Sequence, residues 1–346
     1  MTFFEQAYKH LLHIIATIHP EKTSNLSSSK EHVSKEIFPK LHLPKLLLGL
    51  SGGADSVFLF HLLLHARSEN KLDFVAAHLN HQWRDDADDT VTFCKILSEK
   101  HAVPFFIDML ETYKPHLINR GSSEDLGRQA RLLFFKRTSD QQNIRWSVLG
   151  HHADDQIESF FIKLIRGTTL EGIGGMQTIA QNRIRPLLLF SKQQIISYLT
   201  EQGHAWYHDS TNDSDAFLRN KIRSQLIPSL QKVDQRSLTN IRRFQVHATL
   251  DADFFIHETN RAIERVTKNQ PAETNARYSR SLFFREHPAL QKRILTRLLY
   301  KNKYDGTISE GIILEIIRFL IHNQGGEHSI KHLVIHKKQD IFWINP

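Results

Sequence analysis

The chain has 346 residues, of which 40% are hydrophobic and 24% are charged, as is typical of a globular protein large enough for two domains. It has no apolar run long enough to span a membrane, no N-terminal signal sequence and one cysteine, Cys94, which excludes disulfide frameworks and cysteine-ligated iron–sulfur sites. Residues 1–215 contain 23 Lys and Arg against 25 Asp and Glu, whereas residues 216–346 contain 22 against 12. We therefore expect a cytoplasmic protein that does not bind membranes and whose basic second part binds a polyanion.

Strand-like and helical patterns alternate through the first half of the chain. Four apolar runs predict strands, at residues 45–50, 73–79, 103–109 and 146–150. Helical patterns follow each of them, at residues 56–68, 86–101, 123–138 and 153–166. Strands separated by helices need crossover connections, so the pattern predicts an α/β fold with a parallel sheet that is covered on both faces.

Composition and pattern together divide the chain into three predicted regions. Residues 1–43 form an N-terminal extension, with a helix over residues 1–20 followed by a polar linker. Residues 44–215 form the α/β domain. Residues 216–346 form a basic, mainly helical domain that contains one long helix and ends in a β-hairpin. A glycine-rich segment, residues 166–177, is typical of a mobile active-site loop.

The most informative stretch is LLLGLSGGADSVFLFHLL, residues 46–63, in which a strand, a Ser-Gly-Gly turn and a helix follow one another. Backbone N–H groups in such a turn, at the start of a helix, bind phosphate. The lysine of a Walker A loop is missing. Asp55 follows the turn, and a carboxylate repels a polyphosphate unless Mg²⁺ bridges the two. The loop therefore predicts a nucleotide that is attacked at its α-phosphate and releases pyrophosphate.

Two further polar clusters follow predicted strands, HLNH at 78–81 and HHADD at 151–155. Because ligands of parallel α/β sheets bind at the carboxyl ends of the strands, we expect both clusters to lie beside the phosphate-binding turn. His151, Asp155 and Glu158 have the spacing of one helix face. Their carboxylates suit a Mg²⁺ ion or a lysine ammonium, although acids that cap the first turn of a helix also give this pattern.

Several motifs together resemble the tRNA(Ile)-lysidine synthetase family. They are LSGGADS (50–56), HLNHQWR (78–84), SSEDLGRQARLLFF (122–135), LGHHADDQIESFFIKLIRG (149–167), EGIGGM (171–176), IRPLL (184–188) and DSTNDSDAFLRNKIRSQLIPSL (209–230). The resemblance runs from about residue 44 to 228 and continues weakly to the end of the chain. It implies an N-type ATP pyrophosphatase fold, similar to adenine nucleotide α-hydrolases, followed by a tRNA-binding domain.

The resemblance also implies a reaction. ATP and Mg²⁺ activate the 2-carbonyl of the wobble cytidine in tRNA(Ile) with the anticodon CAU. Free L-lysine then attacks through its ε-amino group and gives lysidine, AMP and pyrophosphate. This modification changes codon reading from AUG to AUA and the identity of the tRNA from methionine to isoleucine. Whether a carboxylate or His151 takes the proton of the attacking amine is left open by the sequence.

The implied site residues fall into four groups. ATP is expected to contact the turn and the neighbouring strand ends through Ser51, Gly52, Gly53, Ala54, Asp55, Ser56, His78, Asn80 and Arg128. The catalytic residues are expected to be Asp55, Arg131, His151, Asp155 and Glu158. Mg²⁺ is expected at Asp55 and Asp155. The RNA is expected to contact Arg219, Asn220, Arg223, Arg242 and Arg243.

Three other classes share part of this pattern. A tRNA thiolase uses the same adenylation step but commonly needs cysteine pairs, and an amidating synthetase for a small metabolite needs a source of ammonia. The single cysteine, Cys94, argues against the thiolase and supplies no glutaminase nucleophile. A nucleotide-sensing RNA-binding protein without turnover is disfavoured by Asp55, Asp155 and Glu158. The sequence leaves the oligomeric state open, a homodimer included.

Overall fold

The computed structural model describes residues 1–19, 43–82, 87–118, 123–207, 218–268, 276–306, 308–322 and 324–345. The predicted polar linker and residues 209–217, the first part of the motif DSTNDSDAFLRNKIRSQLIPSL, lie outside these residues. The chain forms two compact units, of which the first is Met1–Gly167 with Gly175–Arg243 and the second is Thr168–Gly174 with Phe244–Pro346. Within the described ranges, no helix is both long enough and apolar enough to span a membrane.

Helices and strands alternate from residue 45 to residue 166, and a short helix, two short strands and a further helix follow as far as residue 201. The helices are α1 (Phe3–Ile18), α2 (Ala54–Ser68), α3 (Ala87–Lys100), α4 (Ser123–Gln142), α5 (Ala153–Arg166), α6 (Leu170–Ile173) and α7 (Lys192–Glu201). The strands are β1 (Lys45–Gly49), β2 (Asp73–Asn80), β3 (Phe105–Met109), β4 (Trp146–Val148), β5 (Ile179–Ala180) and β6 (Arg183–Ile184). A 3₁₀ helix, Leu110–His116, follows β3.

The six strands form one sheet in the order β3-β2-β1-β4-β6-β5, in which β5 and β6 pair antiparallel and the other neighbours are parallel. Leu46, Leu48 and Phe74 are buried on the face covered by α1 and α2, whereas Leu47 and Val75 are buried against α4 on the other face. Strands buried on both faces are apolar at every position, which explains why they stand out as continuous runs in the sequence. The predicted parallel α/β fold is confirmed.

The carboxyl ends of three neighbouring strands lead into the polar clusters. β1 leads into the turn Leu50–Gly53, β2 ends at Asn80 and is followed by His81, and β4 leads into His151 and His152. Since β2, β1 and β4 are adjacent and parallel, these segments lie next to each other at the carboxyl ends of the strands, as the sequence predicts.

Beyond residue 217 the described chain is mostly helical at first and then forms a second sheet. The helices are α8 (Leu218–Lys221), α9 (Ile227–Val233), α10 (Ser237–Val266), α11 (Arg280–Arg285), α12 (Pro288–Lys301) and α13 (Glu310–Ile321), with a π-helical turn, Ile222–Leu226, between α8 and α9. The strands are β7 (Thr267–Lys268), β8 (Arg277–Ser279), β9 (Gly326–Ile330), β10 (Leu333–Lys338) and β11 (Ile341–Asn345).

The second unit has an antiparallel sheet in the order β7-β8-β11-β10-β9, and its core contains side chains from α12 and α13. The predicted hairpin corresponds to β10 and β11, which are two of the five strands. β7 and β8 have two and three residues. Segments this short cannot produce the alternating pattern by which a strand is recognised in a sequence.

The two units divide between Arg243 and Phe244, inside α10, whereas the change in charge and pattern predicts a boundary between residues 215 and 216. The difference arises because the helical segment from Leu218 onward packs on α5 of the first unit. The middle of the glycine-rich segment, Thr168–Gly174, belongs to the second unit, where Glu171 pairs with Arg293 at 2.6 Å. The mobility of this segment stays a prediction.

Candidate active site

The phosphate-binding turn connects β1 to α2. Gly52 has a φ of +83°, which residues with a side chain rarely adopt, and a Cβ atom there would lie 2.9 Å from Cγ2 of Thr90. The Ser56 hydroxyl donates to the Gly53 carbonyl at 2.9 Å and accepts from the Ser51 backbone N–H at 3.1 Å. Ser56 is buried and holds the shape of the turn, whereas Ser51 is exposed where a phosphate would bind.

Asp55, in the first turn of α2, lies beside a lysine from a distant part of the chain. Its Oδ2 accepts a hydrogen bond from Lys192 Nζ at 2.6 Å and lies 3.8 Å from His152 Nε2. Its Oδ1 is buried and has no hydrogen-bond partner among the described residues. Ala54 is buried in the core and offers the site only its backbone. A buried carboxylate oxygen without a donor fits a metal ion, which Asp55 is predicted to bind.

The start of α5 is held by a reciprocal cap. The Asp155 Oδ2 atom accepts from the His152 backbone N–H at 2.9 Å, and His152 Nδ1 accepts from the Asp154 backbone N–H at 3.2 Å. Burial alone would raise the pKa of Asp155, but the neighbouring His152 and the guanidinium of Arg219 outweigh it and hold that pKa below its ordinary value. Helix capping, the structural alternative for this motif, therefore accounts for one oxygen of Asp155.

His151 is buried next to this cap. Its Nδ1 has no hydrogen-bond partner in the described ranges. Burial lowers its pKa to about 4, the nearby Asp155 opposes this shift, and the arginines nearby add to it. The imidazole is therefore neutral at pH 7, with a ring nitrogen available to accept a proton.

Glu158, one turn further along α5, is the most buried carboxylate of the site. Its side chain is 1% exposed, and its two oxygens accept from Arg219 Nε and Arg223 Nε, each at 2.6 Å. Arg219 Nη2 also donates to Asp155 Oδ1 at 3.1 Å. Two of the arginines predicted to contact RNA thus pair with two of the predicted catalytic acids. The sequence contains all of these residues, but only the fold brings α5 and the segment after Leu218 together.

The other three predicted RNA-binding residues lie in different surroundings. Arg242, on α10, donates from Nη2 to Asp154 Oδ1 at 3.1 Å, so it too reaches the start of α5. Its neighbour Arg243 is exposed. Asn220 is half-buried between Arg219 and the π-helical turn. Arg223 is exposed as well, but it pairs with Glu158.

The residues at the end of β2 are buried and take part in hydrogen bonds that shape the site. His78 Nδ1 lies 2.8 Å from the Leu50 carbonyl, just before the phosphate-binding turn. Asn80 Nδ2 donates to Asp88 Oδ1 at 2.9 Å, and its Oδ1 accepts from the Gln82 backbone N–H at 2.9 Å. These bonds support the wall on which the nucleotide is predicted to bind, and direct contact with ATP stays a prediction for both residues.

Arg128 and Arg131 are both exposed on α4, three residues apart. Arg131 Nη2 lies 2.9 Å from His81 Nε2. Burial, and next to it the charge of Arg131, lowers the pKa of His81 to about 3, so His81 is neutral and accepts this hydrogen bond. His81 was not among the predicted site residues, although it belongs to the HLNH cluster. Lys192 was not predicted either, since no motif connects it to Asp55.

A phosphate-binding turn after the central strand of a parallel sheet, with a carboxylate in the following helical turn, defines a nucleotide-binding α/β protein of the pyrophosphate-loop class. The chain belongs to the PP-loop domain family, whose pattern matches residues 26–230, more than half of its length. This membership, the parallel fold and the relatives below confirm the resemblance that the motifs indicate.

Curated relatives carry the name that this resemblance predicts. The bifunctional protein TilS/HprT of Listeria innocua is 32% identical over 282 residues, which are 80% of this chain and 43% of that protein. The tRNA(Ile)-lysidine synthase of Geobacter sulfurreducens is 36% identical over 202 residues, 58% of this chain and 43% of that protein. The same enzyme of Clostridium tetani is 30% identical, with 75% of this chain and 56% of that protein covered. The chain thus spans about half the length of these relatives.

A solved structure supports the fold alone. The U34-tRNA thiolase NcsA of Methanococcus maripaludis, described with its [4Fe-4S] cluster, superposes with a TM-score of 0.52 at 16% sequence identity. The superposition covers 71% of this chain and 80% of the thiolase.

Proposed function

We propose that the chain is a ligase that forms a carbon–nitrogen bond: it uses ATP to attach free L-lysine to C2 of the wobble cytidine in tRNA(Ile) with a CAU anticodon. The family, the named relatives and the motifs support this proposal. The observation that carries it in the structure is Asp55, which places a buried oxygen without a hydrogen-bond partner, among the described residues, beside a phosphate-binding turn. This arrangement suits a Mg²⁺-bound polyphosphate.

Asp55 fits Mg²⁺ better than Asp155 does. Both Asp155 oxygens accept hydrogen bonds, from His152 N and from Arg219, whereas Oδ1 of Asp55 has no donor in the described ranges. The described residues contain no group of three or more acids, histidines or cysteines placed to hold a metal ion. Mg²⁺ would therefore be completed by phosphate oxygens and water, as is usual for this ion at nucleotide sites, and would offset the charge of the leaving pyrophosphate.

In the first step, the cytidine 2-carbonyl oxygen attacks the α-phosphorus, a bond between these two atoms forms, and the bond from the α-phosphorus to the pyrophosphate oxygen breaks. Backbone N–H groups of Gly52, Gly53 and the start of α2 are suited to bind the pyrophosphate. Arg128 and Arg131 share one side of α4 and can stabilise charge on the α-phosphate. The hydrogen bond to His81 fixes the direction of the Arg131 guanidinium.

In the second step, the ε-amino nitrogen of lysine attacks C2 of the cytidine, and AMP leaves with the former carbonyl oxygen. The attacking amine must lose a proton. His151 is suited to accept it, because its buried imidazole is neutral and Nδ1 has no hydrogen-bond partner within the described part of the chain. Glu158 is suited to a different role, since both of its oxygens are already paired and it positions Arg219 and Arg223.

The tRNA thiolase, the first alternative, is disfavoured by the single cysteine. Cys94 is buried on α3, and burial raises the pKa of its thiol to about 12, so it stays protonated at pH 7. A protonated, buried thiol is neither a nucleophile nor a cluster ligand.

The test is mass analysis of a tRNA(Ile) transcript with a CAU anticodon after incubation with the protein, ATP, Mg²⁺ and isotopically labelled lysine. We expect a labelled nucleoside at the wobble position and one AMP released for each lysine attached. A transcript with uridine at the wobble position is the control and should gain no label. Incorporation that needs ammonia or a sulfur donor instead of lysine would overturn the proposal in favour of an alternative.

A further inference from the structure

Lys192 is held next to the phosphate-binding turn by two hydrogen bonds. Its backbone N–H donates to Asp154 Oδ2 at 2.7 Å, and its ammonium donates to Asp55 Oδ2 at 2.6 Å. Lys192 is the first residue of α7, and Ser191 caps this helix through a reciprocal bond with Gln194. The backbone of Lys192 is therefore held in place, although its side chain is long.

The helix that carries Lys192 is anchored in the main core. Ile195 and Leu199 of α7 are fully buried in the cluster that also contains Phe58 of α2. Both partners of the ion pair thus lie on helices that pack against each other, 137 residues apart in the sequence. The packing of these helices fixes the backbone positions from which Lys192 and Asp55 reach each other.

The charge of Lys192 is accessible to a ligand. Its side chain is 38% exposed, and that of Asp55 is 23% exposed. An ammonium group has three donors, and Asp55 Oδ2 uses one of them. Without this lysine, the negative charge of Asp55 would oppose the approach of a polyphosphate to the turn.

We propose that Lys192 is a phosphate-binding residue of the nucleotide site and takes the part that a lysine within the loop takes in Walker A proteins. Before the nucleotide binds, its ammonium neutralises Asp55. If Asp55 bound Mg²⁺ instead, the ammonium would be free to bind the terminal phosphates, which leave as pyrophosphate. This inference rests on the proposed use of ATP, but it does not depend on which substrate is adenylated.

The test compares Lys192→Met with a matched control, Lys95→Met. Lys95 is an exposed lysine on α3 whose ion pair with Glu99 is long, at 3.9 Å. The affinities for ATP with Mg²⁺ and for AMP are measured by calorimetric titration of the protein without tRNA. A charged hydrogen bond to phosphate predicts that Lys192→Met weakens ATP binding by about 10-fold or more and leaves AMP binding unchanged. Lys192→Arg should keep most of the affinity for ATP.

Two results would overturn the inference. Unchanged ATP affinity in Lys192→Met would show that Lys192 neither contacts the phosphates nor is needed to offset the charge of Asp55, and an equal loss for ATP and AMP would make its role structural. If the wild-type protein bound no ATP at all, the proposed function would fail instead, so the two failures are distinguishable.

A second measurement uses the wild-type protein and does not depend on the folding of a variant. Lysine side chains are acetylated with a water-soluble ester, and the rate at Lys192 is followed by mass spectrometry. We expect ATP with Mg²⁺ to slow acetylation of Lys192 at least several-fold, whereas AMP leaves it unchanged and Lys95 reacts at the same rate throughout. Equal rates at Lys192 with and without ATP, at saturating nucleotide, would contradict the inference.

Discussion

Arg223 Nε donates to Glu158 Oε1 at 2.6 Å, and the carboxylate that accepts this bond is almost inaccessible to solvent. The pair connects the π-helical turn after α8 to the middle of α5. It explains why the first unit extends to Arg243 although the composition of the chain changes near residue 216.

The burial of Glu158 predicts its contribution to stability. Glu158→Gln removes the charge that two arginines share, so we expect the free energy of unfolding in urea to fall by about 2 kcal/mol, less than for a fully buried pair because Arg219 and Arg223 are partly exposed. Glu99→Gln, which disrupts an exposed pair with Lys95, is the control and should change stability by less than about 0.5 kcal/mol. Equal effects of the two substitutions would contradict this account.

We expect substitution of Asp55 to lower turnover and to leave the fold intact. Asp55→Asn removes the charge that suits Mg²⁺, and we expect lysine-dependent AMP formation to fall about 100-fold or more. Circular dichroism should remain that of the wild type. The control is Asp73→Asn, at the opposite end of the sheet, where the carboxylate is half exposed and pairs with Arg67 at 3.3 Å. Normal AMP formation by a folded Asp55→Asn protein would refute the assignment of the loop.

Because the pKa of the buried His151 imidazole is lowered, we expect the stability of the protein to depend on pH. In the unfolded chain a histidine gains a proton below about pH 6.5, whereas in the folded protein His151 stays neutral down to a pKa of about 4 because it is buried. The unfolded state therefore binds more protons between these values, and the free energy of unfolding falls as the pH falls through this range.

Between pH 7 and pH 5, the wild type should lose about 2 kcal/mol more stability than His151→Gln. Urea denaturation at several pH values measures the difference. His116→Gln, which changes an exposed histidine, serves as the control and should leave the pH dependence of the wild type intact. Parallel curves for the wild type and His151→Gln would show that the imidazole is not buried in its neutral form.

We expect substitutions of Arg242 and of Arg243 to differ in their effects on tRNA binding and turnover, although the sequence predicts that both residues bind RNA. Each phosphate contact adds about one unit to the slope of log K against log salt. Arg243 is exposed, so Arg243→Gln should weaken tRNA binding and flatten this slope by about one unit without changing ATP affinity. Arg242→Gln removes the partner of Asp154 and should lower turnover more than it changes the slope.

Titration of tRNA at four or more salt concentrations decides between these effects. Lys71→Gln removes one exposed positive charge in the turn before β2. This turn lies at the amino ends of the strands, away from the phosphate-binding turn, so the slope of log K against log salt should not change. If Arg243→Gln has the slope of Lys71→Gln, the tRNA does not contact Arg243.

The sequence predicts those strands whose own residues form a recognisable apolar run. The strands β1 to β4 were predicted to within two residues. Burial makes β1 and most of β2 apolar, whereas β3 is an edge strand without a fully buried residue and was recognised by its short apolar run. The hairpin of β5 and β6 was missed, since two-residue strands leave no periodic signal.

For the candidate site, the sequence predicts which residues lie at the carboxyl ends of the strands better than it predicts which residues pair with each other. Asp55 and His151 follow strands of one sheet, so topology places them correctly. The pairs of Lys192 with Asp55 and of Arg223 with Glu158 join segments 137 and 65 residues apart. No spacing rule connects such residues, because their contact depends on how separate helices pack.

The long separation in sequence between the paired residues also determines when, during translation, the site can form. A ribosome releases the glycine turn and Asp55 long before Lys192 and Arg242 have been translated. Until α7 and the start of α10 emerge, Asp55 and Asp154 lack their ion pairs with Lys192 and Arg242. A truncated product that ends before Lys192 would therefore have a glycine turn beside a carboxylate, Asp55, whose charge the lysine ammonium does not offset.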